Sequence, residues 1–464
     1  MTFPREAPPI AADQPPLVPA AAGPRREALR LLRRLLRADN GIFAALQTVA
    51  TQGLVLLLTI ATGVITGRLL GPEGRGVFAA ATLWPQMLVT VCFVGVPAGI
   101  IYHIRGTPAA SGSITAAAGI LGMLLSFLGV AAGAVAMPLM MRGYPPEAVQ
   151  LAWICILATV PYVLHLLMRQ VLVALDLFSA FNLASVLAPL LYLLGLLVMW
   201  ATTGVTVEGS ALALIGSVAA TALWMGWHAR AAWRLSSDRL GHWLRQLGAY
   251  SARGAVADIL LGVSGYLDRL VLIAVLSPEV LGLYVVANSM ARIMLVLHTV
   301  VNSVVFPKMA GRPRQAVKSL HDHAFRFMLH AVLGIILLSF VFGREVVTLF
   351  YGEPFAAAGL IFSVLVVESG LTCIAQTMSQ LFYACDRPGY VSMSQTLCFA
   401  AVALGLALLV PSFGAIGAAA AMALGAFVRV LTLLLGIAFS LGLGLPRPFL
   451  NRADIVRLRR HFEE

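Results

Sequence analysis

Charge is scarce in this chain of 464 residues, where 11% are Asp, Glu, Lys or Arg and 60% are apolar. An ordinary soluble domain is about a quarter charged, so a water-soluble globule is excluded. Lysine is almost absent, with two against thirty Arg, a usage that points to a GC-rich genome. The five cysteines (Cys92, Cys155, Cys373, Cys385, Cys398) fall in or beside apolar segments with no CxxC pair, which argues for inert core thiols over a disulfide framework or a metal cluster. HExxH, GxSxG and P-loop motifs are missing, so no catalytic metal, nucleophile elbow, nucleotide site or other cofactor is expected. His321-Asp322-His323 has no third ligand nearby and reads as a solvated loop.

Apolar runs of twenty or more residues recur from about Ile42 to Leu441, each enough helix to cross a hydrocarbon layer of ~30 Å. We read twelve spans, near 42–67, 76–101, 113–137, 148–172, 177–200, 208–228, 250–275, 281–306, 325–349, 355–383, 389–411 and 414–440. With the N-terminus inside, cytoplasmic segments hold 25 of the 32 basic residues and external loops hold Arg68, Arg75, Arg142 and Arg344. That bias predicts an even number of spans and two cytoplasmic ends. The net charge of +12 therefore reflects topology, since no basic face interleaved with exposed aromatics exists to bind nucleic acid.

Residues 1–40 read as a cytoplasmic tail. Its first part is proline-rich and lacks the pattern of a secretory signal peptide, and Arg25–Arg37 follows as a basic amphipathic stretch. That stretch suits a helix lying on anionic lipid, and equally a start signal that fixes topology. Residues 41–228 form a first lobe of six spans and 249–441 a second, with a basic tail at 442–464. Between the lobes, 229–248 carries Leu240, Trp243, Leu244 and Leu247 at the spacing of a surface helix.

The halves repeat. Leu70, Pro72, Glu73, Gly76, Phe78 and Ala81 recur 206 residues later as Leu276, Pro278, Glu279, Gly282, Tyr284 and Ala287. Met168, Gln170, Ala174, Asp176, Gly195 and Gly204 recur 210 residues later, ending at Asp386, Gly405 and Gly414. Six spans per copy is even, so both copies enter the membrane in one direction and are related by an axis along its normal, with a cleft between them.

Polar residues form stripes in several spans: Thr48, Gln52, Thr59, Thr62 and Thr66 in the first, Asn288, Arg292, Thr299 and Asn302 in the eighth, and Glu368, Thr372, Gln376 and Ser379 in the tenth. Asp258, Asp268, Arg269, Arg292, Glu368 and Arg429 are charges within spans, all in the second half. Each costs about 2.5–3.5 kcal/mol against lipid at mid-membrane on insertion scales, so they face a wet cavity or one another. The first reading makes Arg269, Arg292 and Arg429, with Asn288 and Thr62, a seat for an anionic headgroup, and makes Asp258, Asp268 and Glu368 ion-coupling groups. The second reading makes the charges ion pairs that lock one lobe.

The segments GRLLGPEGRGVFAAATLWPQ (Gly67–Gln86), YLDRLVLIAVLSPEVLGLYVVANSMARI (Tyr266–Ile293), VVFPKMA (Val304–Ala310) and LVPSFGAIGAAAAM (Leu409–Met422) resemble the oligosaccharide flippases of polysaccharide biosynthesis. These belong to the multidrug/oligosaccharidyl-lipid/polysaccharide exporter superfamily. The resemblance implies an all-α fold of about twelve transmembrane helices in two six-helix lobes around a central cavity. It also implies a bacterial inner-membrane location and alternating access that carries an undecaprenyl-pyrophosphate-linked oligosaccharide outward for O-antigen, capsule or exopolysaccharide, alongside polymerase or ligase machinery. Asp268 matches a position where the family often has Asp, and cavity arginines toward the pyrophosphate make Arg269 and Arg292 the candidates. Lipid II flippases carry intramembrane arginines in their first lobe, which this first lobe lacks, and that argues against lipid II as cargo. The competing readings are a cation-coupled multidrug antiporter, which three buried arginines disfavour, and a membrane polymerase or ligase, which short external loops disfavour.

Overall fold

The computed structural model describes residues 41–93, 95–230, 239–298, 309, 314–446 and 448. The expected tail helix at Arg25–Arg37 and the basic tail beyond 448 lie outside them. Thr51–Glu464 forms one unit, and Met1–Ala50 is assigned to another. Among the described residues the regular structure is helical, with no strand.

The helices are α1 (Gly41–Cys92), α2 (Val96–Gly106), α3 (Ser111–Met140), α4 (Pro146–Leu157), α5 (Thr159–Ala174), α6 (Phe178–Thr202) and α7 (Val207–Ala229) in the first half. The second half has α8 (Leu240–Ser264), α9 (Leu267–Val275), α10 (Pro278–Ala291), α11 (Arg314–Tyr351), α12 (Ala358–Ala384) and α13 (Pro388–Phe439). Among the described residues nine helical segments are long and apolar enough to cross a membrane. Two of them are double: α1 turns at Gly71 (φ 69°) ahead of Pro72, and α13 turns at Gly414 (φ 56°) after Pro411. With α8 and α9 as a broken span, the twelve expected crossings are all represented.

Three expected spans are interrupted. The second stops at Cys92 and restarts after Gly95 (φ 70°), the fourth breaks at Ala158, and the seventh breaks at Gly265-Tyr266. Other boundaries shift for packing reasons. The surface helix expected within 229–248 is continuous with span seven in α8, because Leu247 is fully buried in one core with Ile100 and Ile104 of α2. His321-Asp322-His323 lies inside α11 and not in a loop, with His321 buried beside Phe325.

The repeat is visible in backbone detail. After α5, Asp176 takes φ 55° and Leu177 N–H donates to Leu172 O at 2.9 Å; after α12, Asp386 takes φ 56° and Arg387 N–H donates to Phe382 O at 2.9 Å. These are equivalent C-terminal caps, 210 residues apart, in a left-handed conformation that Asp tolerates better than most residues.

Helix ends of the two halves meet at the turn after the first span. Gly76 of α1 and Gly282 of α10 lie backbone to backbone: a Cβ on Gly76 would overlap the Pro278 carbonyl, and one on Gly282 would overlap the Pro72 carbonyl. Small residues permit such approach in a membrane helix pair. Nearby, Arg68 Nε donates to Phe350 O at 2.7 Å and its second amine to Leu349 O, tying α1 to the end of α11. At this end a core joins Phe78, Trp84 and Leu196 to Tyr284 and Phe355 and runs on through the second half as far as Phe382. At the opposite end the first half has a core of its own, including Phe93, Ile100, Val171 and Met225, joined from the second half by Leu247 of α8. The halves thus meet at one end through the shared core and at the other through α8, which packs on α2 and α3.

Candidate substrate cavities

Breaking a membrane helix frees backbone carbonyls that lipid cannot satisfy. At the break between α8 and α9, Arg269 answers one of them, donating to Gly265 O at 3.0 Å, and its guanidinium lies 5.3 Å from the Tyr266 ring centre. Arg292 sits in a short 3₁₀ turn, Arg292–Met294, that follows α10. Both arginines line a cavity of about 750 Å³ between the halves, walled opposite by Gln86, Thr90, Phe93 and Leu166. Thr90 and Tyr266 hydroxyls approach to 3.4 Å across it.

A polar relay runs behind Arg292. Its Nε donates to Asn288 Oδ1 at 2.9 Å, Asn288 Nδ2 donates to Asp268 Oδ2 at 3.5 Å, and Tyr284 O–H donates to the same oxygen at 2.8 Å. Asp268 is 1% exposed, and its Oδ1 has no hydrogen-bond partner among the described residues; Arg269 Nε stands 3.8 Å from it. Asp268 lines neither cavity; its contacts are with Tyr284, Asn288 and Arg269. Glu368 accepts from Thr372 at 3.0 Å and Ser369 at 3.2 Å, within electrostatic reach of Arg292 and Asp268. Asp268 is therefore sealed in a polar knot whose other end, Arg292, is exposed in the cavity.

The remaining candidates separate. Arg429 is 8% exposed within α13 and, unlike Arg269 and Arg292, lines neither cavity. Thr62 faces a second cavity of about 680 Å³, enclosed largely by the first half and reached by Ser289 and Ile293 just before and after Arg292. Asp258 falls in α8, with its side chain outside the described residues.

A family profile described as polysaccharide biosynthesis protein matches residues 65–359, well over half of the chain. The chain belongs to that family. Among solved structures, the lipid II flippase MurJ in an inward closed conformation is 13% identical with a TM-score of 0.68, over 84% of this chain and 87% of MurJ. An inward-facing multidrug resistance MATE transporter of the MOP superfamily is 16% identical with a TM-score of 0.63, over 84% and 94%. A MOP superfamily transporter from Pyrococcus furiosus is 17% identical with a TM-score of 0.56, over 87% and 97%. This polysaccharide biosynthesis protein therefore has the MOP fold and is a multi-pass membrane protein. No curated protein matches its sequence.

In this family member a cavity is also lined by two arginines that were not among the sequence candidates, one of them, Arg75, expected in an external loop. Arg75 and Arg169 both line the cavity of the first half, Arg75 lying 5.1 Å from the Phe78 ring centre and Arg169 4.6 Å from that of Phe181. The first lobe thus presents two arginines, rooted near the ends of its spans, to a cavity. The cause is a few residues of helix at span ends: the helix after Gly71 begins at Pro72, and α5 runs to Ala174. The signal available was direction, since Arg169 follows His165 by one helical turn on the face that meets α7.

Proposed function

We propose that the protein is a flippase that moves an isoprenoid-pyrophosphate-linked oligosaccharide from the cytoplasmic to the external leaflet of a bacterial inner membrane by alternating access. The observation that carries this reading is the pair Arg269 and Arg292 lining one cavity between the halves. A diphosphate cannot enter hydrocarbon with its hydration shell, and guanidinium groups replace that shell with charge-assisted, bidentate hydrogen bonds. Family membership supports a polysaccharide pathway, namely O-antigen, capsule or exopolysaccharide, with polymerase or ligase machinery receiving the product.

Orientation follows from charge. The segments read from the sequence as cytoplasmic carry most of the basic residues, and the Gly76–Gly282 seam, in the turn between the first two spans, closes the external side. The cavity with Arg269 and Arg292 takes its first-half wall from residues toward the cytoplasmic ends of their helices, such as Phe93, Gly95 and Pro97, which suits loading from the inner leaflet. Asp268 and Glu368, with Asp258 on α8, are the groups that exchange a coupling ion, and the relay through Asn288 links that exchange to Arg292.

Arg269→Ala and Arg292→Ala are expected to abolish surface polysaccharide while the protein still reaches the membrane folded; normal export from both would sink the proposal. A cation-coupled drug antiporter is the second reading, favoured by sealed carboxylates such as Asp268. Dye efflux from cells overproducing the protein separates the two.

A further inference from the structure

The cavity of the first half differs in chemistry from the one lined by Arg269 and Arg292. Hydroxyls from three helices face it: Thr59, Thr62 and Thr66 on α1, Ser185 on α6 and Ser217 on α7. Thr62 and Thr66 already donate to carbonyls one turn back, Thr62 to Leu58 O at 3.0 Å and Thr66 to Thr62 O at 2.7 Å, so their oxygens remain as acceptors. Three aromatic rings, Phe78, Tyr192 and Tyr351, gather around Arg75, whose charge reaches both phenols. Tyr192 is 7% exposed, lines the cavity, and its hydroxyl has no hydrogen-bond partner among the described residues. Arg75 Nε is likewise buried without one. Buried polar groups are paired in native proteins with few exceptions, so unmatched donors facing a cavity await a ligand that matches them.

A hydrocarbon chain would leave the phenol and the hydroxyl stripe unmatched. A cationic drug would meet Arg75 and Arg169. A sugar satisfies all of them, since its C–H faces pack on aromatic rings and its hydroxyls both donate to threonine oxygens and accept from Tyr192 and the guanidiniums. The volume of about 680 Å³ lies within the roughly 300–1,000 Å³ of small-molecule sites, which fits a short oligosaccharide and not a polymer.

We infer that this chamber is the glycan seat of the transporter and that the diphosphate stays at Arg269 and Arg292, a division that rests on the function proposed above. Gln86 lines both cavities, so the two seats adjoin, as a sugar bonded directly to the diphosphate requires.

The test uses the full chain in lipid nanodiscs and two probes. Farnesyl pyrophosphate carries the diphosphate without sugar, and the lipid-linked oligosaccharide fraction extracted from the source cells carries both. Tyr192→Phe removes only the hydroxyl, and Thr59→Trp fills the chamber from an exposed wall position that leaves the buried cores untouched. Both variants should bind farnesyl pyrophosphate as the wild type does, while affinity for the extracted glycolipid falls about tenfold with Thr59→Trp and several-fold with Tyr192→Phe. Undiminished glycolipid binding by either monodisperse variant overturns the inference, and so does an equal loss of both probes, which would make the chamber part of the phosphate seat. Wild-type protein that ignores farnesyl pyrophosphate yet binds the glycolipid in a Tyr192-dependent manner would instead sink the diphosphate reading and leave the glycan seat standing.

Discussion

Gly76 and Gly282 occupy equivalent positions in the two repeats and press against each other's helix starts, leaving no room for a Cβ on either. A repeat that contacts its own copy at its most close-packed point is a natural gate. The same small surface must part for the external side to open, and at the seam itself the contact is van der Waals packing. Gly76→Ala is expected to force the seam apart and bias the protein toward external opening. With the five native cysteines replaced, Ser289→Cys in the cavity should react several-fold faster with a membrane-impermeant maleimide added from outside. Unchanged labelling would show that the seam does not gate access.

Arg68 secures the same closure differently. Its guanidinium caps the carbonyls of Leu349 and Phe350 at the C-terminus of α11, where the helix dipole favours a cation. The side chain is exposed, so solvent screening holds the bonds to about 1 kcal/mol in all, below the usual range for hydrogen bonds to charged groups. Arg68→Ala should raise external labelling of Ser289→Cys less than Gly76→Ala does, and Arg68→Lys should restore part of the closure. Equal behaviour of Arg68→Ala and wild type would remove Arg68 from the gate.

Tyr284 and Asn288 share one carboxylate oxygen but carry different duties. Tyr284→Phe leaves the sealed Asp268 with only the long contacts to Asn288 and Arg269, at a cost of about 1–3 kcal/mol for an under-satisfied buried group. Its expected effect is a lower melting temperature with farnesyl pyrophosphate affinity retained. Asn288→Ala releases Arg292 Nε and is expected to weaken farnesyl pyrophosphate about tenfold, with a smaller thermal change. If the two variants exchange these phenotypes, the relay does not position Arg292.

What the sequence made legible was what depends on composition along one dimension. Twelve crossings follow from apolar length, and the repeat follows from Pro-Glu-x-x-Gly, whose two copies turn out to touch. The breaks at Gly95, Ala158 and Gly265-Tyr266 were hidden, because hydropathy continues through them and glycine is common in membrane helices. Arg269 and Arg292 were legible as charges at membrane depth, and they share a cavity. Arg75 and Arg169 were not, since a long side chain rooted near a span end can reach inward or outward, and only neighbouring helices decide which. Arg429, legible in the same way as Arg269 and Arg292, is buried within α13 and lines neither cavity.

Asp176 and Asp386 test the duplication itself. Both adopt positive φ to close a helix C-terminus, and neither angle suits a β-branched residue. Asp176 also meets Arg105 at 2.6 Å, but with both side chains half or more exposed that pair adds little. Backbone conformation should therefore dominate. Asp176→Gly and Asp386→Gly are expected to fold and export normally, whereas Asp176→Val and Asp386→Val should each lose about 1–2 kcal/mol of stability, the cost of a left-handed residue. Thermal melting of the four purified variants reads the difference. If Asp176→Gly destabilises as much as Asp176→Val, the ion pair and not the left-handed turn holds this corner, and the two caps are equivalent in shape but not in cause.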